Sequence, residues 1–323
     1  MSSATVFRSP ETGGKFGPCA LAIGNFDGVH IGHQVLLRET VEFAVQGGLH
    51  PAALTFHPHP TVVVAPERVP PMICTLDERI RLLEAAGITR ILVLPFTPQL
   101  AHLSPEDFVR QILVDQLDTK AVFVGENFRF GYRQAGKPAT LQSLGDEIGF
   151  TCRFVKPVSW RGEVVSSSAI RQALTNGNVT KAGRLLGRCF SVAGSIVSGQ
   201  GIGSKQTVPT LNIVPTGEQL IPRGVFVTET VEPATGKRWQ SITNAGVRPT
   251  FGGTELTVET FLLEPLDGPT PAAIDVLFRR YLRAERQFSD SDALKAQIMK
   301  DVARAKAYWR HTAHLGAWEA SIY

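Results

Sequence analysis

The first half of the chain alternates short, almost wholly apolar runs with stretches of helical periodicity. The apolar runs lie at residues 19–23, 52–56, 90–96, 121–125 and 151–155. Apolar residues recur at helical spacing over 35–47 and 76–86, and Ser104 and Pro105 open a further helix as N-cap and first residue. Strands separated by helices predict a doubly wound parallel sheet, which binds ligands at the carboxyl ends of its strands.

The pattern changes after two short helical pieces at 169–175 and 179–187. Short alternating runs then follow, separated by glycine and proline turns, at 191–197, 224–230, 241–247, 256–263 and 275–282. This alternation predicts an antiparallel β-barrel, closed by an amphipathic helix from Asp292 to about Trp309. We therefore expect two domains, an α/β domain of residues 1–187 and a barrel domain of residues 188–323.

Composition is that of an ordinary globular chain with a mild positive charge. Of 323 residues, 43% are hydrophobic and 19% charged, and 33 basic against 29 acidic residues give a net charge of +4. This charge suits small anionic substrates, and the absence of basic blocks argues against a nucleic-acid partner. The sequence contains no apolar stretch of about 18 residues, so we expect no membrane partner.

The cysteines and the polar start of the sequence bear on location. Cys19, Cys74, Cys152 and Cys189 are far apart and form no C-x-x-C pair. They predict free thiols in a reducing compartment rather than a zinc site or a disulfide framework. Residues 1–17 lack the apolar core of a signal peptide. We expect a cytoplasmic protein.

The most informative segment is Gly24–Gln34, GNFDGVHIGHQ, which links the first predicted strand to the first helix. A helix that begins near His30 places His30 and His33 on one face of its first turn, beside unpaired N–H groups and the positive dipole end. Gly32 lets phosphates approach the backbone. Such a site suits substitution at the α-phosphate of a nucleotide. The competing interpretation is a pair of exposed or N-capping histidines.

Asp27 lies inside the same turn and has three possible roles. It could orient a histidine, approach a metal ion, or form an Asx turn without further function. Residue type alone does not distinguish these roles.

A second candidate site lies in the barrel half. The glycine-rich run Gly199–Lys205 precedes Thr210 and Asn212, whose oxygens share one side if they lie on a strand. Two neutral oxygen ligands together with nucleotide phosphates could hold Mg²⁺, although hydrogen-bonded turn residues explain the pattern equally well. Glu259 interrupts the apolar strand Thr257–Leu263, as a solvated residue or as a base for a substrate hydroxyl.

Several motifs in order resemble the bacterial bifunctional riboflavin kinase/FMN adenylyltransferase (FAD synthetase) family. The resemblance runs from about residue 18 to 315. Its motifs are GNFDGVHIGHQ, TFHPHP, GENFRFGYRQAG, SSSAIR, PTLN, NAGVRPTFGG, VETFLL and YLRAERQF. It implies an α/β nucleotidyltransferase domain that adenylylates FMN to FAD, releasing pyrophosphate. It also implies a barrel domain that phosphorylates riboflavin to FMN.

The resemblance also implies roles for individual residues, with ATP, riboflavin, FMN and FAD as small-molecule partners and Mg²⁺ as cofactor. His30 and His33 would stabilise charge at the α-phosphate. Phosphates and ATP of this reaction would be bound by Gly24, Asn25, Phe26, Asp27, Gly32, Ser166, Ser167, Ser168 and Arg171, and flavin by His59, Asn127 and Arg129. In the kinase, ATP would be bound by Gly201, Gly203, Lys205, Thr210 and Asn212, with Thr210 and Asn212 also holding Mg²⁺. Glu259 would be the base, and Arg283 would lie beside the flavin.

The kinase half departs from the family pattern. The family commonly shows G-R-x-L-G-F-P-T-A-N, whereas this chain has Ser204–Asn212, SKQTVPTLN, and Ala284 replaces a frequent proline. Two alternatives remain. One is an adenylyl- or cytidylyltransferase for another phosphorylated acceptor with a non-catalytic barrel, and the other is a barrel that binds nucleic acid, for which the basic residues are too scattered.

Overall fold

The structure is a computed structural model that describes residues 3–11, 15–197, 210–217, 219–250 and 253–314. It divides into two compact units, Met1–Ser166 and Ser167–Tyr323. The helical pieces before the barrel therefore fall in the second unit. The boundary between 187 and 188, expected for independent folding, stays a prediction.

Strands and helices alternate through the first unit as the apolar pattern predicts. Its strands are β1 (Thr5–Phe7), β2 (Cys19–Ile23), β3 (His50–His57), β4 (Arg90–Pro95), β5 (Thr119–Gly125), β6 (Thr151–Val155), β7 (Ser159–Trp160) and β8 (Glu163–Val164). Its helices are α1 (Ile31–Gly47), α2 (Thr61–Val64), α3 (Leu76–Ala85), α4 (Pro98–Ala101), α5 (Pro105–Asp107), which continues as a π-helix (Phe108–Gln116), and α6 (Pro138–Ile148). Single 3₁₀ turns occupy Pro66–Arg68 and Tyr132–Gln134.

Six of these strands form one parallel sheet in the order β1-β4-β3-β2-β5-β6. Successive residues of β2 enter different cores: Leu21 and Ile23 pack into one cluster, and Ala20 and Ala22 into the other. Both faces of the sheet are therefore covered, which confirms the doubly wound prediction. Because β2 pairs with β3 on one side and β5 on the other, the strand order reverses at β2.

Helix α1 has the ends expected from its sequence. His30 is the N-cap, and its Nδ1 accepts a hydrogen bond from the His33 backbone N–H at 3.3 Å. Gly48 ends the helix in the left-handed conformation, with φ of 63°. The predicted strand–turn–helix around the two histidines is confirmed.

The second unit begins with two helices, α7 (Ser167–Thr175) and α8 (Val179–Leu186). Its strands are β9 (Phe190–Val197), β10 (Thr210–Pro215), β11 (Gly224–Val231), β12 (Arg238–Thr250), β13 (Gly253–Leu262) and β14 (Ala273–Arg283), followed by α9 (Ser291–His314). These strands close an antiparallel barrel in the order β10-β13-β12-β11-β14-β9, which confirms the predicted barrel with its C-terminal helix.

The barrel interior is filled by side chains. Phe190, Phe226 and Phe278 are at most 2% exposed. Beside them Thr228 shares a 2.8 Å hydrogen bond with Thr243, one link in a buried hydroxyl cluster. The cluster comprises Thr228, Thr230, Ser241, Thr243 and Thr260. Because these packed side chains fill the interior, we expect ligands of this unit to bind on the outer surface of the barrel.

Helix α9 covers part of that outer surface. Ala305 packs into an apolar cluster with Val225, Val227 and Ile242, which point outward from β11 and β12. In the described residues, no helix combines the length and apolar character needed to cross a membrane.

Candidate active sites

A pocket of about 190 Å³ opens at the carboxyl ends of the parallel strands, where the strand order reverses. It lies beside Gly24 and Phe26, which follow β2, and beside Gly125, the last residue of β5. Its walls are formed by Ile23, Gly24, Phe26, His30, Gly32, His33, Leu36, Gly125, Glu126, Asn127, Val155, Lys156, Pro157, Val158 and Val165. The structure thus brings both predicted histidines and Asn127 to one pocket.

The two histidine rings form a stacked pair. Their centroids are 3.7 Å apart and their planes meet at 15°. Because His30 Nδ1 accepts a hydrogen bond from a backbone N–H, its lone pair is at Nδ1 and the proton of neutral His30 is on Nε2. Phe26 packs edge-on against His33, with centroids 5.2 Å apart. The pair is therefore fixed from both sides before any substrate binds.

His33 is neutral at physiological pH. Burial lowers its pKa well below the ordinary 6.5, and the nearby charges of His30 and Arg79 act in the same direction. Its Nδ1 is buried and has no hydrogen-bond partner among the described residues. A buried N–H without an acceptor is rarer than an unsatisfied acceptor. This favours a proton on Nε2, so His33 can donate without carrying charge.

Glycines and unusual backbone angles shape the turn that carries the histidines. A Cβ on Gly32 would lie 3.2 Å from the His30 ring, and one on Gly24 would lie 3.2 Å from the Phe26 ring. Phe26 and Val29 both have positive φ, 48° and 37°, which non-glycine residues rarely adopt. Backbone strain of this kind concentrates at functional sites.

Asp27 is a structural clamp within this site. It is 1% exposed, and its carboxylate accepts hydrogen bonds from the Ile73 N–H at 3.0 Å and the Cys74 N–H at 3.2 Å. The Cys74 thiol in turn accepts from the Gly28 N–H at 3.1 Å. Asp27 therefore ties the strained turn to the segment before α3.

His59 and Asn25 are neighbours at the ends of β2 and β3. Asn25 Nδ2 lies 3.3 Å from His59 Nε2, and His59 Nδ1 lies 2.6 Å from Thr61 Oγ1. The Asn25 carbonyl accepts from Thr55 Oγ1 at 2.9 Å. The two predicted residues thus form part of one hydrogen-bonded corner of the first unit.

The remaining residues predicted for this site are Arg129, Ser166, Ser167, Ser168 and Arg171. Arg129 is exposed and donates to the Phe128 carbonyl at 2.8 Å. Ser166 ends the first unit, and Ser167, Ser168 and Arg171 lie on α7 at the start of the second. Their contacts with a substrate stay predictions.

Glu126 and Lys156 line the pocket but did not stand out in the sequence. Gly125 of β5 faces Val155 of β6, and the Glu126 N–H donates to the Val155 carbonyl at 3.2 Å. The two side chains therefore follow paired strand ends. Glu126 belongs to the motif GENFRFGYRQAG, whereas only the pairing of β5 with β6 would have pointed to Lys156.

On the second unit, three polar residues form a row across neighbouring strands. Asn212 of β10 faces Glu259 of β13, and Glu259 faces Asn244 of β12. Val258 and Thr260 are buried, so Glu259 between them points outward from the barrel and is half-buried. The row brings together two residues predicted for the kinase site.

Thr210 shares the outward side of β10 with Asn212, because residues two apart on a strand face one way. Gly201, Gly203 and Lys205, predicted to bind ATP, lie outside the described residues, as does the departure at 204–208.

Asn244 belongs to this row, although the sequence analysis did not single it out. Its Nδ2 donates to Glu285 Oε1 at 3.3 Å, and its Oδ1 is buried with no partner among the described residues. A Cβ on the neighbouring Gly246 would overlap the Glu285 carboxylate. Its register beside Glu259 could not be deduced from an isolated N-A-G-V-R-P-T turn.

Arg283 is held by a carboxylate of α9. Its Nε and Nη2 both lie 2.9 Å from Asp301 Oδ2, and Asp301 is 3% exposed. Gln297 Nε2 donates to the other oxygen of Asp301 at 2.8 Å. These contacts fix the guanidinium at the end of β14.

The donors on the outer barrel surface suit Mg²⁺. The Thr210 hydroxyl and the Asn212 amide oxygen are neutral oxygen ligands that this ion accepts, with phosphates and water completing its shell. Among the described residues, no group of three or more histidine, cysteine, aspartate or glutamate side chains is placed to hold a metal. A magnesium site here would therefore depend on neutral oxygens and on the substrate.

Comparisons with known proteins match both halves of the chain. The family model for FAD synthetase matches residues 14–169, and the one for riboflavin kinase matches residues 186–309. Two bacterial proteins named bifunctional riboflavin kinase/FMN adenylyltransferase align over nearly the full chain. The Escherichia coli (strain K12) protein is 34% identical over 94% of this chain and 95% of its own. The Pseudomonas fluorescens protein is 35% identical over 92% of this chain and 94% of its own.

A solved structure resembles this chain over most of its length. It is a crystal structure described as a macrolide-efflux protein from Streptococcus pneumoniae, with a TM-score of 0.84 and 25% sequence identity. The match covers 94% of this chain and 99% of that one.

Proposed function

This chain belongs to the bifunctional riboflavin kinase/FMN adenylyltransferase family, and from that premise we propose how its residues divide the two reactions. It is a transferase that phosphorylates riboflavin to FMN and adenylylates FMN to FAD. The first unit carries the FAD synthetase match, and the barrel and its helix carry the riboflavin kinase match.

Adenylylation takes place at the pocket of His30 and His33. An ionised phosphate oxygen of FMN attacks the α-phosphorus of ATP, a new P–O bond forms, and the bond to the bridging oxygen breaks to release pyrophosphate. The attacking oxygen carries no proton, so this step needs no base. The stacked histidines support this assignment most directly, because both can present neutral N–H donors where charge builds up.

The surrounding residues bind and orient the two substrates. Gly24, Asn25, Phe26 and Gly32 keep the backbone open to phosphates at the amino end of α1. Ser166, Ser167, Ser168 and Arg171 bind ATP phosphates, and His59, Asn127 and Arg129 bind the flavin. We assign Asp27 to holding the turn rather than to direct phosphate contact, because its carboxylate is buried among backbone amides.

Riboflavin phosphorylation takes place on the outer surface of the barrel. Glu259 takes the proton of the riboflavin hydroxyl as the oxygen attacks the γ-phosphorus of ATP, and ADP leaves. Unlike a phosphate, a hydroxyl must lose its proton on attack, which explains why only this site needs a carboxylate. Asn244 lies beside Glu259 and positions it. Arg283, held by Asp301, lies beside the flavin.

Thr210 and Asn212 hold Mg²⁺ together with the phosphates of ATP, and Gly201, Gly203 and Lys205 bind the nucleotide. When bound, the ion neutralises phosphate charge. The partners we propose are small molecules, with neither nucleic acid nor membrane among them, and the expected location is cytoplasmic.

Product analysis of the purified chain tests both assignments. Incubation with ATP, Mg²⁺ and riboflavin should give FMN and then FAD on chromatography, whereas FMN in place of riboflavin should give FAD alone. If FMN accumulates without FAD, the adenylylation site is wrongly assigned. If only supplied FMN is converted, the kinase site is wrongly assigned.

A further inference from the structure

Arg79 is a buried cation near the start of α3 whose partners are all neutral. It is 3% exposed. Its Nη1 donates to Thr55 Oγ1 at 3.2 Å and to the Phe56 carbonyl at 3.1 Å. Its Nε is buried and has no acceptor among the described residues.

Two other poorly exposed arginines of this chain, Arg279 and Arg283, have carboxylate partners. The side chains of Arg279 and Arg283 are 7% and 19% exposed and pair with Glu229 and Asp301. Within the described part of the chain, Arg79 has no ion-pair partner. Burying a charge without an ion-pair partner costs free energy. We therefore expect another interaction to compensate for the burial of Arg79.

Two acidic side chains of the same neighbourhood do not supply that interaction as an ion pair. Asp27 and Glu78 raise the pKa of the Cys74 thiol while Arg79 lowers it, which places all three charges in one neighbourhood. The Asp27 carboxylate is already used by the backbone amides of Ile73 and Cys74.

Arg79 is linked to the adenylylation site in two ways. Thr55, which accepts from Arg79, donates its own hydroxyl proton to the Asn25 carbonyl at 2.9 Å. The chain Arg79–Thr55–Asn25 therefore joins α3 and the end of β3 to the turn that carries the histidines. The charge of Arg79 also reaches His33, whose pKa it lowers.

We propose that Arg79 is a positioning residue for adenylyl transfer. Through Thr55 it fixes the Asn25 turn, and its buried, uncompensated charge favours the anionic phosphates of ATP beside His33. A fixed charge near the reacting phosphate is effective because it needs no reorganisation during the reaction. This inference rests on the adenylylation site proposed above.

Substitutions of Arg79 separate its charge from its packing. Arg79→Met removes the charge and keeps an unbranched side chain, and Arg79→Lys keeps the charge but loses the forked donors. Arg79→Gln removes the charge and keeps an N–H donor, so it replaces the Met variant if that variant does not fold. Arg81→Met is the matched control, because Arg81 is an exposed arginine on the same helix.

Four measurements on the full chain distinguish the possibilities. They are kcat and KM for ATP in FAD formation, the pH profile of that reaction, riboflavin phosphorylation, and the thermal midpoint. We expect Arg79→Met to lower kcat for FAD formation by about tenfold to a hundredfold, less than the roughly 10²–10³-fold lost with a direct donor, because Arg79 acts through other groups. Arg79→Lys should lose less, and Arg81→Met nothing. Riboflavin phosphorylation should be unchanged in all of them.

The pH profile of FAD formation tests whether the charge of Arg79 acts on His33. Without Arg79 one of the causes that lower the His33 pKa is gone, so this pKa should rise and the acid limb of the profile should move to higher pH. Arg79→Lys should leave the limb in place. Wild-type kcat and pH profile in the Met or Gln variant would overturn the proposal. Equal losses in the Lys and neutral variants with an unmoved limb would also overturn it, and would indicate packing alone.

A parallel measurement on His33→Ala distinguishes an error in the proposed adenylylation site from an error in the role proposed for Arg79. If His33→Ala forms FAD normally, the proposed site itself is wrong. If His33→Ala is impaired and the neutral Arg79 variants are not, only the role of Arg79 is wrong.

Discussion

The His30 side chain caps the helix on which His33 lies: Nδ1 of the first accepts the backbone N–H of the second at 3.3 Å. The same contact that starts α1 therefore sets the orientation of the His30 ring and favours the proton of the neutral ring on Nε2. One hydrogen bond thus both caps α1 and orients the imidazole ring of His30. A substitution of His30 should consequently affect both.

Loss of either histidine should impair only FAD formation. We expect His33→Ala and His30→Ala to lower this rate by about two to three orders of magnitude, the range for a lost transition-state donor. Chromatography of flavin products measures it, and riboflavin phosphorylation should persist. His50→Ala is the control, because His50 lies at the amino end of β3, whereas the pocket lies at the carboxyl ends of the strands. Near-normal FAD formation by His33→Ala would contradict the assignment.

Glu259→Gln should stall the kinase reaction while the fold remains. A general base contributes on the order of 10²–10⁴-fold, so riboflavin phosphorylation should fall by that factor. Thr210→Ala should instead raise KM for Mg·ATP. Supplied FMN should still yield FAD in both variants. Glu264→Gln, an exposed residue just beyond β13, serves as the control. Normal phosphorylation by Glu259→Gln would assign the residue to a solvated surface.

Fragments cut at two positions should test the domain boundary. Residues 1–187 should convert FMN to FAD, whereas residues 1–166 should not, because they lack Ser167 to Arg171. For the barrel, 167–323 should be more stable than 188–323, because α8 buries Val179 and Leu185 within the second unit. Activity assays and thermal unfolding measure these differences. An inactive 1–187 fragment beside an active full chain would contradict the predicted boundary.

Asp27→Asn should destabilise the histidine turn. The amide group replaces one of the carboxylate oxygens that face the N–H groups of Ile73 and Cys74. Loss of a buried hydrogen bond that leaves a donor unsatisfied costs about 1–3 kcal/mol. Chemical denaturation should show this loss of stability. Chromatography of flavin products should show slower FAD formation. Asp115→Asn, at an exposed position, should change neither; equal stability of the two variants would contradict the clamp.

The buried thiols should resist alkylation in the native protein. Burial raises the pKa values of Cys19 and Cys74 to about 12. At pH 8 about one thiol in 10⁴ is then ionised, so iodoacetamide should label them only in urea, as mass spectrometry can show. Unfolding restores the ordinary value of 9.0, so these thiols lower the free energy of unfolding as pH rises above 9.0. Rapid native labelling of Cys74 would contradict this prediction.

Local patterns in the sequence predicted most elements well. The predicted strands 19–23 and 151–155 match β2 and β6, and the predicted Ser104 cap accepts the Asp107 N–H at 3.0 Å. The strand β10 was not assigned as an element, although Thr210 and Asn212 were placed together. Its six residues are too short for an alternating pattern to stand out beside a glycine-rich run.

The site residues that escaped prediction depend on pairing between distant segments. Asn244 becomes a candidate only because it faces Glu259 on the next strand. Lys156 becomes one only because it lines the same pocket as the end of β5. Arg79 lies at an apolar-facing helical position where an arginine gives no signal by itself. Strand order and register decide these neighbours, and neither can be deduced from one segment alone.

The three-residue strand β1 has a consequence for handling this protein. It pairs with β4 at one edge of the sheet, and Phe7 packs on Phe16 with ring centroids 5.1 Å apart. Without Thr5–Phe7, the almost wholly apolar strand Arg90–Pro95 would present unpaired N–H and C=O groups at an open edge. Such edges recruit strands from other molecules. Removal of the first eight residues should therefore make the chain prone to aggregation.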